Sequence, residues 1–191
     1  MTRNGLAVCL TLALVGALVL GASVVRAAGS HDGVACVTTG ADDHGGGTTS
    51  GNDTATGSAG DDRMAGLGGD DRLSGGAGDD DMCGDAGEDH LLGGGGDDNM
   101  TGDLGDDHLN GQSGADHEFG DAGDDRLLGG GGDDVLSGGR GIDDLRGGAG
   151  DDRINARDGR RDRVSCGAGD DTVHADHNDR VGAGCEHVMR S

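Results

Sequence analysis

The sequence predicts an all-β fold built from short stacked repeats, and three observations support this prediction. From Gly57 to Asn155 the chain repeats every nine residues, which gives eleven blocks over 99 residues. Glycine occupies positions 1 and 4 of every block, and aspartate occupies position 6. Position 8 is Met, Leu or Ile in ten of the blocks. A short fixed period of this kind indicates a solenoid, in which each unit buries its apolar side chain against its neighbours.

Composition excludes several other classes of protein. The 191 residues include 45 glycines and no proline, so the collagen pattern of glycine at every third position with proline does not apply. Acidic residues number 37 against 14 arginines, for a net charge of −23. Such a charge disfavours nucleic acid and anionic lipid as partners, because both are bound through Lys/Arg patches, and it favours cations.

The N-terminal segment, residues 1–27, is predicted to be a signal peptide. Arg3 precedes an uncharged apolar run from Gly5 to Leu20, and small residues near Ala27 follow. This order of regions is typical of secretory signals and predicts a secreted, extracellular protein with no membrane insertion after cleavage. An uncleaved anchor is the alternative, because residues 4–25 carry no charge and are long enough to span a membrane.

Residues 28–56 are rich in Gly, Thr, Ser and Asp, and they are predicted to form a flexible linker. Val34 to Thr38 could add a strand to this segment. A degenerate block covers residues 48–56, where Gly51 and Asp53 keep the phase of the repeats.

The repeats, residues 57–155, follow the pattern G-G-x-G-x-D-x-U-x, where U is a large aliphatic residue. Block nine, from Gly129 to Ser137, is an example. Across these 99 residues the chain resembles the RTX, or haemolysin-type calcium-binding, repeat family. The resemblance implies a right-handed parallel β-roll with Ca²⁺ as its cofactor. It also implies that the first six residues of each repeat form a calcium-binding turn and the last three a strand.

The strand tripeptide x-U-x predicts a thin core, because alternate side chains of a strand point to opposite faces. The inward residues are Met64, Leu73, Met82, Leu91, Met100, Leu109, Leu127, Leu136, Leu145 and Ile154. The repeats also hold 26 acidic residues against 6 arginines, a net charge of −20. We therefore expect this segment to stay disordered unless cations bind.

Calcium would balance this charge. If successive turns lie on alternate edges of the roll, six odd turns enclose five gaps and five even turns enclose four, and nine ions would add +18. The position 6 carboxylates are the predicted metal ligands, together with main-chain carbonyls, because calcium prefers oxygen ligands. They are Asp62, Asp71, Asp80, Asp89, Asp98, Asp107, Asp116, Asp125, Asp134, Asp143 and Asp152. The acidic residues at position 5 are expected to face solvent.

Block seven breaks the pattern because Glu118 occupies its core position and Phe119 follows it. Either a one-residue slip brings Phe119 inward, since strand faces alternate, or the block is a weak spot with Phe119 exposed.

Residues 156–191 lose the strict period and are predicted to cap the roll, with a loosely ordered tail as the alternative. Cys166 and Cys185 are predicted to form a disulfide within this cap. Elimination then leaves Cys36 to pair with Cys83, although Cys83 could instead be a free thiol.

No catalytic motif is complete, so we expect a structural protein rather than an enzyme. His117 and Glu118 begin an H-E-x-x-H motif, but residue 121 is aspartate. His90 and His108 should be neighbours about 4.8 Å apart on an outer face, where exposed surface histidines are expected rather than a metal site. The predicted function is a secreted calcium-binding module. The alternative is a calcium-dependent adhesin or matrix protein with a cell-surface partner, which Leu92 and Leu128 could contact.

Overall fold

The computed structural model describes residues 49–191, and in this range the chain consists of strands joined by turns and bends. The strands form two parallel sheets of eight strands each, and consecutive strands alternate between the two sheets. Each sheet therefore pairs strands that are two repeats apart. No part of residues 49–191 forms a helix that could cross a membrane. The all-β prediction and the parallel β-roll architecture are confirmed.

The odd-strand sheet contains every second strand, beginning with the first. Its strands are β1 (Thr54–Thr56), β3 (Arg72–Ala77), β5 (His90–Gly95), β7 (His108–Ser113), β9 (Arg126–Gly131), β11 (Asp144–Ala149), β13 (Arg163–Ala168) and β15 (Arg180–Val181). The even-strand sheet contains the others. Its strands are β2 (Arg63–Ala65), β4 (Asp81–Ala86), β6 (Asn99–Leu104), β8 (His117–Ala122), β10 (Val135–Arg140), β12 (Arg153–Ala156), β14 (Thr172–Ala175) and β16 (His187–Arg190).

Strands in the middle of the roll are longer than the tripeptide that the resemblance implied. β5, for example, spans 6 residues, because it continues through the first three residues of the next repeat. Only positions 4 to 6 of a central repeat lie outside strands. The extra residues pair in register as well, with Gly76 opposite Gly94. The turns that hold the acidic residues are therefore shorter than expected.

The core is a single layer of side chains between the two sheets. All ten predicted inward residues are buried, and Leu91, Leu127 and Leu136 have no exposed surface. Val164 and Val173 continue the same cluster beyond the repeats. The position 8 side chains meet in this layer because each strand alternates its faces and the register holds every position 8 residue in one row.

Block seven keeps its register in spite of its glutamate. Glu118 lies between Met100 and Leu136 in the ladder and is fully buried, whereas Phe119 is half-buried on the other face. The slip that would bring Phe119 inward does not occur. Asp116 maintains the register of this repeat, because it is hydrogen-bonded to the turns on both sides.

Strands continue through the C-terminal segment as far as Arg190, and a disulfide joins Cys166 to Cys185 as predicted. Cys185 packs against the last part of the core. Cys83 is also disulfide-bonded, which excludes the free thiol. Its predicted pairing with Cys36, the predicted signal peptide of residues 1–27 and Val34 to Thr38 lie outside the described residues.

Candidate calcium sites

The position 6 aspartates form two buried columns, one along each edge of the roll. From Asp71 to Asp152, one carboxylate oxygen of each column member accepts a hydrogen bond from the backbone N–H of the aspartate 18 residues earlier. Asp80 N donates to Asp98 Oδ1 at 2.9 Å, and Asp98 N donates to Asp116 Oδ1 at 2.9 Å. On the other edge, Asp89 N donates to Asp107 Oδ1 at 2.8 Å. All eleven predicted ligands lie in these columns and are buried.

The second carboxylate oxygen of most column members is buried and has no hydrogen-bond partner. This holds for Oδ2 of Asp71, Asp80, Asp89, Asp98, Asp107, Asp116, Asp125, Asp134, Asp143 and Asp152. A buried polar atom without a partner is costly, and a buried charge without one is more so. Ten such atoms at equivalent positions indicate one common kind of ligand. A cation fits this role, because a carboxylate oxygen can offer its lone pair to a metal ion.

The position 1 glycines leave the space into which these oxygens point. A Cβ atom on Gly93 would lie 2.2 Å from Asp98 Oδ2 and 2.9 Å from the carbonyl oxygen of Gly111. At Gly75 the corresponding distances are 2.1 Å to Asp80 Oδ2 and 2.8 Å to the carbonyl oxygen of Gly93. A carboxylate oxygen and a main-chain carbonyl oxygen thus approach the same point in these turns. These are the oxygen types that calcium prefers, so the chemistry fits the ion.

Position 1 needs glycine for room rather than for an unusual backbone angle. Positive φ values occur instead at positions 2 and 4, as at Gly94 with 122° and Gly96 with 127°. Glycine at position 4 therefore meets a backbone requirement that glycine at position 1 does not. Any side chain there would occupy the space beside the aspartate oxygen.

Burial makes these carboxyl groups hard to ionise in the absence of a cation. Loss of hydration is the largest cause, and the charges of neighbouring aspartates add to it. The pKa of Asp98 rises to about 7 and that of Asp125 to about 8. A divalent ion between two turns would oppose both effects, because it supplies a positive charge and a partner for the oxygen.

The columns extend beyond the predicted ligands. Asp143 N donates to Asp162 Oδ1 at 2.9 Å, and Asp152 N donates to Asp171 Oδ1 at 2.9 Å. Oδ2 of Asp162 and Oδ2 of Asp171 are also buried without a hydrogen-bond partner. Sequence reasoning missed these residues because their spacing is 19 instead of 18. The Asp-x-Val tripeptides that begin at Asp162 and Asp171 were the available signal.

A further row of aspartates lies at position 2 of three even repeats, where the pattern has glycine. Asp85, Asp103 and Asp121 adopt φ values of 72°, 72° and 70° and are aligned in neighbouring strands. Asp85 Oδ2 accepts a hydrogen bond from Leu67 N in the preceding turn at 3.2 Å. Burial, together with the charges of Asp121 and Asp85, raises the pKa of Asp103 to about 7. Sequence reasoning did not single out this row, which gives one edge more carboxylates than the other.

The position 5 aspartates are exposed, as expected, but they also make a contact that the sequence did not suggest. Asp79 N donates to Asp61 Oδ1 at 3.1 Å, and Asp97 N donates to Asp79 Oδ1 at 2.9 Å. These bonds tie each turn to the turn 18 residues away. The position 5 aspartates therefore link stacked turns at the exposed surface, whereas the position 6 aspartates link them in the interior.

Side chains alone do not complete a metal site in the described part of the chain, because no group of three or more His, Cys, Asp and Glu converges there. Any ion must therefore take main-chain oxygens as well.

His90 and His108 are neighbours as predicted, with ring centroids 4.8 Å apart.

Together, the two parallel sheets and the columns of carboxylates define a β-solenoid of calcium-binding repeats. The family model described as "RTX calcium-binding nonapeptide repeat (4 copies)" matches residues 47–82, 83–118, 110–145, 128–162 and 137–173, so that its matches span most of the chain. The chain therefore belongs to the RTX calcium-binding repeat family, whose repeats bind calcium ions. No curated protein matches the chain.

Proposed function

We propose that this chain is a secreted calcium-binding protein whose roll folds when calcium fills the two columns, and that it acts as a structural module without catalysis. The observation that carries the proposal is the row of buried Oδ2 atoms without hydrogen-bond partners. Each is an aspartate oxygen beside a glycine, and in most turns a carbonyl oxygen lies beside it as well, which is a set of ligands for a hard cation. The eleven predicted position 6 aspartates would be the side-chain ligands.

Charge supports coupling between folding and calcium binding. The repeats carry −20, and nine ions, one for each gap between stacked turns, would supply +18. The sites are made by residues that are 18 positions apart in the chain, so they do not exist before the turns stack. Binding free energy therefore becomes folding free energy, as in other small metal-dependent domains.

The test is a calcium titration of the purified chain, followed by far-UV circular dichroism, with magnesium as the control ion. We expect a cooperative change from coil to β-structure, with about nine ions bound to the repeats by equilibrium dialysis at saturation. A chain that is fully folded in chelator would show that calcium is not its scaffold. A chain that stays disordered in excess calcium would refute the proposal altogether.

A matched pair of variants separates ligation from charge. Asp98→Asn changes a buried column member, and Asp97→Asn changes its exposed neighbour at position 5, so both remove one negative charge. We expect Asp98→Asn to raise the calcium midpoint and to lower the number of bound ions, whereas Asp97→Asn should change the ion count little. Equal effects of the two variants would show that only bulk charge matters.

Secretion is proposed from the predicted signal segment, and it is tested by comparing the full chain with a variant that lacks residues 1–27. Fractionation of expressing cells should show the full chain outside the cytoplasm and the truncated chain inside. Retention of both forms would overturn the proposal of export without affecting the calcium proposal.

A further inference from the structure

The outer face of the odd-strand sheet carries a row of basic side chains in a strongly acidic protein. Position 7 of the even repeats points outward there, and register places Arg72, His90, His108 and Arg126 next to one another on four successive strands. All four are exposed. The row continues with Asp144, Arg163 and Arg180.

The row lines an open groove of about 430 Å³. Leu92 and Leu128, which lie at position 9 of the same strands, form its apolar side, and Asn110 stands between them. Leu92 is 42% exposed, and Leu128 is half-buried. The groove therefore combines two arginine cations and a pair of stacked histidines with an apolar strip and a polar amide.

The cations at the ends of this row are not neutralised by the protein. No carboxylate of residues 49–191 lies within 4.0 Å of the guanidinium of Arg72 or Arg126, whereas Arg63 on the opposite sheet pairs with Asp81 at 3.0 Å. A guanidinium presents several planar N–H donors that match the oxygens of carboxylate and sulfate groups. The free donors at the two ends of the groove thus favour an anionic ligand.

We propose that this groove binds a linear acidic polysaccharide. Arg72 and Arg126 are separated by three strand spacings, about 14 Å, which suits an extended chain with repeated anionic groups rather than a single small ion. The leucines would contact the apolar faces of sugar rings, and Asn110 can hydrogen-bond to hydroxyl groups. Single-stranded nucleic acid fits less well, because its bases stack best on large aromatic side chains, and the chain has no Trp or Tyr and its one Phe, Phe119, lies on the other sheet.

Calcium reconciles this groove with the overall charge of −23. The acidic columns lie at the edges of the roll, and ions bound there would cancel most of their field, so that the cations of the face would dominate locally. In this respect the inference rests on the proposed calcium-loaded state. Binding of the polysaccharide is therefore expected in calcium and not in chelator.

The test measures binding of fluorescent heparin and hyaluronan oligosaccharides, which carry sulfate and carboxylate groups or carboxylate alone, by anisotropy in saturating calcium. The groove variant combines Arg72→Gln with Arg126→Gln. The matched control combines Arg63→Gln with Arg153→Gln, which removes the same charge from position 7 on the opposite sheet. We expect about tenfold weaker binding for the groove variant and less than a twofold change for the control, because only the groove variant loses direct contacts.

Circular dichroism of the same samples first tests whether every variant folds with calcium. A failure of the calcium proposal is then distinguished from a failure of the groove proposal. Equal losses of affinity in the two double variants would overturn the groove proposal, since the binding would then be nonspecific electrostatic attraction. Absence of binding to both oligosaccharides by the folded native chain would overturn it too, as would tighter binding of a single-stranded DNA oligonucleotide of equal charge.

Discussion

Replacement of the one acidic residue in the core should stabilise the calcium-loaded roll. Glu118 has no exposed surface and takes the place that an aliphatic side chain holds in the other ten repeats. Its Oε1 accepts a hydrogen bond from Gly111 N at 2.6 Å, but its Oε2 has no hydrogen-bond partner. We therefore expect Glu118→Leu, which restores the repeat pattern, to raise the free energy of unfolding.

The magnitude follows from the proton that the folded chain must bind. Burial, as the largest cause, raises the pKa of Glu118 from its ordinary value of 4.5 to about 8. At pH 7 the group is then protonated in the fold and ionised in the unfolded chain, at a cost of about 3 kcal/mol, since each pKa unit is worth about 1.4 kcal/mol. Burial of leucine gains about 1.5–3 kcal/mol. Loss of the acceptor for Gly111 N costs about 1–3 kcal/mol, which offsets that gain.

The sign of the pH dependence is fixed by the direction of the shift. A carboxyl group whose pKa is raised by folding costs nothing below its unfolded pKa, and its cost grows as the pH rises towards the folded pKa. The advantage of Glu118→Leu should therefore be about 3 kcal/mol at pH 7 and below about 1 kcal/mol at pH 5. A purely steric improvement would be the same at both pH values.

Thermal unfolding in saturating calcium measures this difference. At about 2–4 °C per kcal/mol for a chain of this size, the variant should melt about 6–12 °C higher at pH 7 and only slightly higher at pH 5. Glu118→Gln, which retains an acceptor for Gly111 N, should give most of the same pH-dependent gain. Glu88→Gln is the exposed control and should change nothing. A variant that melts below the native chain at pH 7, or a gain that does not depend on pH, would refute the reasoning.

Three further predictions concern the calcium columns and the C-terminal end. Gly93→Ala should lower the number of bound calcium ions, because its Cβ would lie 2.2 Å from a column oxygen, whereas Gly95→Ala has an ordinary contact at 3.5 Å and should not; equal ion counts by dialysis would contradict this. Calcium affinity should fall between pH 8 and pH 6, since protons compete for carboxyl groups such as Asp125, whose pKa is about 8 without metal; a titration at both pH values checks it. Cys166→Ser with Cys185→Ser should cost about 3 kcal/mol, as expected for a loop closed over 19 residues, and faster hydrogen exchange confined to the last strands would confirm it.

Much of the fold could be predicted because position 8 and position 6 report directly on the core and the turns. Leu73 and Leu91 had to share a row once the period was recognised, and they are indeed opposite each other in the ladder. The length of the strands could not be read from the pattern. Positions 1 to 3 are mostly glycine or polar, as in Gly93 to Gly95, and such residues give no strand signal by propensity. They are strands because the neighbouring repeats align them.

The candidate site was predictable only where the period is strict. Asp143 and Asp152 stand in phase, but the next column members, Asp162 and Asp171, are displaced by one residue, and only the folded chain shows that they join the same columns. The fate of Glu118 was also undetermined, because a slip and a buried carboxyl group both satisfy the local sequence. Hydrogen bonds across 18 residues settle the register, and they do not appear in any single repeat.

The two sheets allow one repeat pattern to encode two different surfaces. Because consecutive repeats alternate between the sheets, position 7 of even repeats faces one side and position 7 of odd repeats faces the other. The first side has arginine at residues 72 and 126 with His90 and His108 between them, whereas on the second side Arg63 and Arg153 are separated by Asp81, Asn99, His117 and Val135. A nine-residue consensus averages these positions and conceals the difference. The calcium columns therefore follow the nine-residue repeat, whereas the outer surface of each sheet follows every second repeat, with a period of 18.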